Sequence, residues 1–285
     1  MSTPTYVLVH GAGSNSFFWT TIQRELALRG LRSYAADLPG HGLDAQYPLA
    51  YYSPQDLDAW ANEPSTLASV TLQDNVDSLL PAVRRLAEHG PVVLVGASLG
   101  GVTITTLANQ APELVSHLVY ISAWAPVSER NPVEYTGPEF DESLLPQLAG
   151  LSVGDPAVVG AGRANYRTAD KTLLDTLKAA VLAEATDEQF RAFLNILQPD
   201  ESMQVMMGDA RADAATWGTI PRTYIRLTAD YAMPIAAQDM LIREGDELTP
   251  DNPYAVHTMD VSHAGFIFQP EATVDILAGV DLGLE

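Results

Sequence analysis

The stretch VVLVGASLGG, residues 92–101, places one serine between glycines where an apolar run ends. A strand turning sharply through Gly-x-Ser-x-Gly into a helix would lift the Ser98 hydroxyl off a sheet, as a nucleophile requires. Gly96 and Gly100 spare that turn colliding side chains, and Gly101 lets the following helix pack closely. The helix N-terminus would add free amides and partial positive charge beside the serine oxygen. The competing reading is a tight connection that happens to hold a small polar residue.

An activated serine needs a base, and the chain has six histidines. His89, His117 and His257 fall beside helix ends or within strands and read as surface or packing residues. His41, in DLPGHG, reads as a loop-folding residue. His263, in MDVSHAGFIFQP, follows the last expected strand and precedes the final helix. That is the edge where ligands gather in open α/β sheets, so His263 is the expected base. Its tautomer needs a fixed acceptor. The turn in TYIRLTADYAMP presents Asp230 for that role, whereas Asp239 and Asp246 read as solvated, and Asp209 and Asp213 fall in an expected lid.

The order Ser98, Asp230, His263 is the serine–acid–histidine order of one hydrolase architecture. An oxyanion would need two convergent amides. The candidates are Leu99, after the nucleophile, and Ala12, in the loop HGAGSNS. His10, which ends the first strand, reads as an orienting or polar structural residue or a substrate contact. His10, Gly11, Phe17, Trp124 and Phe266 form the candidate pocket.

The elements that must position these residues alternate apolar strands with helical patterns, the signature of a parallel sheet flanked by helices. Strands are expected at 5–10, 32–37, 91–96, 116–122, 222–228 and 255–260. Helices are expected over 17–30, stopping at Gly30, and over 71–89, 100–111, 239–246 and 270–280. Residues 124–218 break this rhythm: a Pro- and Gly-rich, strand-poor section leads into one or two amphipathic helices over 168–197. The expected organisation is a core of 1–123 and 219–285 with a helical lid over 124–218. The irregular piece 43–69, with Tyr47, Tyr51, Tyr52 and Trp60, could either line a pocket or pack its loop onto the body of the protein.

The formal net charge of −21 excludes the clustered basic surface that nucleic acid needs, and disfavours anionic membranes. The absence of cysteine excludes disulfides, thiol catalysis and thiolate metal sites. No apolar run approaches the roughly 20 residues of a membrane span. The first residues lack the pattern of a secretory signal, so a cytoplasmic protein is the expectation. No metal or cofactor motif survives, and a small-molecule substrate is the expected partner.

One rival motif is a dinucleotide fingerprint, with Gly11, Gly13 and Ser16 after the first strand and Asp37 ending the next. Phe17, Phe18 and Trp19 crowd the turn where a pyrophosphate would need open amides, and the reading leaves Ser98, Asp230 and His263 without a role.

HGAG, DLPGHG, GASLGG, TADYAMP and SHAGF together resemble the α/β-hydrolase superfamily across essentially the whole chain. YVLVHGAGSNSFFW and WGTIPRTYIRLTADYAMPIAAQDMLI are most similar to its hydroxynitrile lyase and methylesterase branch. The resemblance implies Ser98 as nucleophile, His263 as base, Asp230 as orienting acid, and Ala12 and Leu99 as oxyanion donors. Lyases of that branch carry a threonine where Gly11 stands and a lysine where Ala264 stands. Without the lysine to hold cyanide's charge, ester hydrolysis is the implied reaction. A lactone, a thioester, a carbon–carbon bond or a rearranged biosynthetic intermediate are alternative uses of the same groups. A slowly turning ligand receptor is the alternative from another class.

Overall fold

Short runs of alternating side chains build the frame, and the alternation decides which core each residue joins. The computed structural model describes residues 3–282. Among these residues the strands are β1 (Thr5–Val9), β2 (Arg32–Ala35), β3 (Val92–Ala97), β4 (His117–Ile121), β5 (Ala161–Arg163), β6 (Asp200–Ser202), β7 (Arg222–Leu227) and β8 (Ala255–Met259). The helices are α1 (Thr20–Leu28), α2 (Leu57–Asn62), α3 (Leu72–Ala87), α4 (Gly100–Gln110), α5 (Pro156–Val159), α6 (Lys171–Val181), α7 (Asp187–Phe193), α8 (Met203–Met206), α9 (Ile235–Leu248) and α10 (Pro270–Ala278).

The six strands expected from the sequence form one wholly parallel sheet in the order β2-β1-β3-β4-β7-β8. Its inner strands are apolar at nearly every position because helices cover both faces. Tyr6, Leu8, Val93, Val95, Val119 and Ile225 point to one side, against Ile22 and Leu26 of α1 and Val274 and Leu277 of α10. Val7, Val9, Leu94, Leu118 and Tyr224 point to the other, against Val76 and Val83 of α3 and Ile104 and Leu107 of α4. Each such side chain fully removed from water stabilises the fold by about 1.5–3 kcal/mol. Caps fix the helix ends. Thr71 and Asp74 close a capping box at the start of α3, and Gly30 takes φ +71° beyond α1.

Between β4 and β7 the chain leaves the sheet. The two amphipathic helices read over 168–197 are α6 and α7, started by the Asp170 and Thr186 side chains. The strand-poor reading of this region needs one correction, because β5 and β6 pair as a small antiparallel sheet. Three-residue strands carry too few alternations to register in sequence, and their pairing joins distant segments. The buried Arg163 of β5 donates two parallel hydrogen bonds to the Asp200 carboxylate of β6, at 2.7 and 2.8 Å. Arg163 also donates to the carbonyls of Trp60 and Glu63. Those contacts seat the 43–69 loop, whose Tyr51 and Trp60 are buried with ring centroids 4.8 Å apart. Packing is therefore the role realised by these aromatics. Among the described residues no helix is long and apolar enough to cross a membrane.

Candidate active site

The loops that leave the C-terminal ends of β1, β3, β4, β7 and β8 meet around the point where strand order reverses, between β1 and β3. Ligands collect at such switch points because the loops diverge there and open a crevice.

Ser98 sits on the loop after β3 at φ +51°, a region that residues with a Cβ rarely enter. Its neighbours hold it there. Ser98 N donates to Ile121 O at 3.3 Å, and Ser98 O accepts from Gly101 N and Trp124 N at 3.1 and 3.0 Å. The glycines are a steric requirement: a Cβ on Gly100 would lie 2.6 Å from the Val9 and His10 carbonyls, and one on Gly101 would lie 2.1 Å from Trp124 O. Helix α4 begins at Gly100 and aims its N-terminus at the serine.

Asp230 follows β7 and is buried. Its Oδ2 accepts from His263 Nδ1 at 2.6 Å and from Ser122 Oγ at 2.5 Å. Its Oδ1 accepts from Ala232 N and Met233 N, each at 2.8 Å. Four donors thus fix the orientation of the carboxylate. Burial works against protonation of His263, but the charge and hydrogen bond of Asp230 outweigh it and raise the imidazole pKa above its ordinary value. With the proton on Nδ1, Nε2 is the nitrogen available to take another.

Ser98 and His263 line one cavity of about 320 Å³, together with Gly11, Ala12 and Trp124. Leu148, Leu151, Leu177, Val181, Phe193 and Leu197, all from the region between β4 and β7, supply much of the remaining wall. Tyr166 also faces it, and burial pushes its phenol up to about 12, so the group is neutral. Among the described residues, the amides of Ala12 and Leu99 donate to no protein acceptor.

Three candidate pocket residues lie elsewhere. Phe17 is 56% exposed, and its neighbour Phe18 lines the cavity instead. Residues Ser16–Trp19 wind as a tight 3-10 turn, which swaps the faces expected of an α-helix there. Phe266 is fully buried against Trp19 and Phe18 in the core. His10 is buried behind the loop, where its ring bonds backbone groups.

The other acids are engaged apart from the site. Asp239 pairs with Arg226, Asp209 pairs with Arg211, and Asp246 accepts from Tyr254 N. The dinucleotide reading fails on the same loop: the Gly13, Ser16 and Phe17 amides are bonded to the side chains of Glu201, Asp37 and Asn15. Two of those acceptors are carboxylic acids, which would repel a pyrophosphate.

Sequence reasoning missed Ser122, which bonds Asp230 from φ +39° at the end of β4. It also missed Glu184, whose Oε2 accepts from Ser262 Oγ at 2.5 Å and whose Oε1 accepts from Ser262 N, beside His263. A serine closing a strand at the sheet's C-terminal edge was the available signal for the first. Nothing local marks the second.

Comparison with known proteins identifies relatives of the whole fold. The model of the family described as "Alpha/beta hydrolase family" matches residues 6–276. A pyrethroid hydrolase of Sphingobium wenxiniae is 25% identical over 279 residues, 98% of this chain and 88% of that protein. A putative chloroplastic methylesterase of Arabidopsis thaliana is 22% identical over 95% of this chain and 70% of its own. A crystal structure of a pyrethroid hydrolase from Sphingobium faniae superposes with a TM-score of 0.70 at 23% identity, covering 98% of this chain and 96% of that one. The chain, from β1 through α10, belongs to the alpha/beta hydrolase family.

Proposed function

We propose that this protein is a cofactor-independent serine hydrolase that cleaves carboxylic esters of small to medium, largely apolar substrates. One observation carries the reading: a serine on a strained strand-to-helix turn and a histidine oriented by a buried aspartate line the same apolar cavity. The relatives' names, pyrethroid hydrolase and methylesterase, support ester cleavage.

Ser98 Oγ attacks the ester carbonyl while His263 Nε2 takes its proton, and Asp230 stabilises the imidazolium that results. The amides of Ala12 and Leu99 receive the developing oxyanion. Collapse of the tetrahedral intermediate expels the alcohol, protonated by His263, and leaves an acyl-enzyme. Water deprotonated by His263 then attacks the acyl carbonyl, and the acid leaves from Ser98. Residues 124–218 act as a lid, since their leucines and Phe193 wall the cavity above the serine.

Gly11 and Ala264 favour hydrolysis over cyanohydrin cleavage. A Cβ on residue 11 would lie 2.8 Å from Ser98 Cβ, so a threonine there needs a rearranged loop. Ala264 is buried and donates its amide to Val181 O at 2.7 Å, and its methyl side chain offers no charge to hold cyanide.

The test is a panel of p-nitrophenyl esters of increasing acyl length in ¹⁸O-labelled water. Label in the acid product and a loss of about 10³-fold or more in Ser98→Ala are expected. Unchanged turnover by Ser98→Ala would overturn the mechanism, and an unlabelled product would point to a non-hydrolytic use of the same groups.

A further inference from the structure

The peptide groups on either side of Ala12 are both tied down from behind the cavity. On one side, His10 Nδ1 donates to Gly11 O at 2.9 Å, and Leu38 N donates to His10 Nε2 at 3.2 Å. Two opposite bonds fix the ring's tautomer. On the other side, Gly13 N donates to Glu201 Oε2 at 2.9 Å, and the next peptide is held in turn by Gln198 N, which donates to Gly13 O at 2.8 Å. Glu201 lies on β6, 188 residues further along the chain.

Glu201 is itself seated. Its Oε2 also accepts from His41 Nε2 at 3.3 Å, while His41 Nδ1 donates to Pro39 O at 3.0 Å. Its Oε1 accepts from Ser202 N at 3.0 Å. The His41 and Glu201 side chains are only 4% and 12% exposed, and the His10 and His41 rings lie 4.8 Å apart. Burial opposes charge on both partners, yet their hydrogen bond and mutual attraction prevail, raising the His41 pKa and lowering that of Glu201. Burial and the neighbouring His41 charge depress His10 to about 4. The His10 imidazole therefore lies beside the His41–Glu201 hydrogen-bonded pair, its ring tilted 48° to that of His41. DLPGHG acquires a role here beyond folding its own loop.

We infer that Glu201, seated by His41, is a positioning residue for the oxyanion loop: it fixes the Gly13 peptide so that the Ala12 amide faces the reacting carbonyl. The inference rests on Ala12 as an oxyanion donor under the proposed function. A donor stabilises a developing charge fully only when it is aligned before the charge appears. A carboxylate acceptor suits that task, since hydrogen bonds to charged groups are shorter and roughly twice as strong as neutral ones. The region between β4 and β7 thus acts from behind the site as well as walling the cavity.

A purely structural staple would use the same contacts, so the test must separate binding from the chemical step. Glu201→Met keeps the side chain's reach and removes its acceptor, while Glu201→Gln keeps an acceptor oxygen. On a p-nitrophenyl ester, Glu201→Met is expected to lower kcat about 10- to 100-fold with KM little changed, and Glu201→Gln to recover most of that loss. A trifluoromethyl ketone, whose serine adduct carries an oxyanion, should lose affinity by the same factor as kcat/KM. A folded Glu201→Met protein with parental kcat overturns the inference, as does a lowered kcat with unchanged ketone affinity. Should Glu201→Met fail to fold, His41→Asn, which unseats Glu201, is read by the same two measurements and the same criteria. Ser98→Ala, run alongside, separates the two claims: full turnover there sinks the proposed function itself.

Discussion

The parallel sheet and the region between β4 and β7 hold their parts of the site by different means. The sheet works through backbone: Ser98 is lifted by a turn at positive φ, clamped by main-chain bonds to Ile121, Gly101 and Trp124. The region between β4 and β7 works through side chains reaching across space, with Glu184 on the His263 loop, Glu201 on the loop after β1, and aliphatic groups on the cavity wall. Backbone geometry tolerates little change, because a displaced peptide has nowhere to go in a close-packed interior. Side-chain contacts can be exchanged one at a time. Chemistry should therefore be most brittle at the sheet edge, and substrate range adjustable along the aliphatic cavity wall.

The largest effect that can break this contrast is at Asp230. Asp230→Asn removes the charge that raises the His263 pKa and lets the ring take the wrong tautomer. The expected loss in kcat is about 10³- to 10⁴-fold. The base must be neutral to act, so parental kcat/KM should rise with pH through a pKa above the ordinary histidine value. In Asp230→Asn any residual acid limb should move to lower pH. A limb that stays in place would detach Asp230 from the base.

Next comes Leu177→Ala, on the cavity wall. Truncation there should destabilise by about 2–3 kcal/mol in chemical denaturation. The preferred acyl chain should lengthen while turnover of short esters persists. Loss of all activity would mean that the wall and the chemistry are not separable.

The smallest effect compares two glycines directly. A Cβ on Gly101 meets a carbonyl oxygen at 2.1 Å, whereas one on Gly150 meets only the tip of the Leu173 side chain at 3.1 Å. Gly101→Ala should destabilise by about 1–3 kcal/mol, and Gly150→Ala by less than about 1 kcal/mol. Equal shifts in the urea midpoint would remove the contrast.

Much of the sheet was legible because parallel strands covered on both faces leave a continuous apolar run, and glycines mark turns sterically. The serine, aspartate and histidine were readable for a related reason: each lies within four residues of a strand's C-terminal end, so chain order and strand ends suffice to bring them to one edge of the sheet. Phe17 was misplaced because the 3-10 turn rotates side chains faster than an α-helix, and Phe266 because an aromatic beside a reactive loop can as well face the core. Ser122 hides in what reads as the last residue of a strand. Glu184 and Glu201 look like any other surface acid, since their partners lie tens to hundreds of positions away and no local pattern encodes a contact at that separation.

The most direct measurement of the central claim is a rapid-quench experiment on a p-nitrophenyl ester, with intact and peptide mass analysis of the trapped protein. The account predicts a burst of p-nitrophenol matching the enzyme concentration, with the acyl mass on the peptide holding Ser98. An acyl group on any other residue, or labelling of Ser98 that persists while turnover proceeds unhindered, would contradict it.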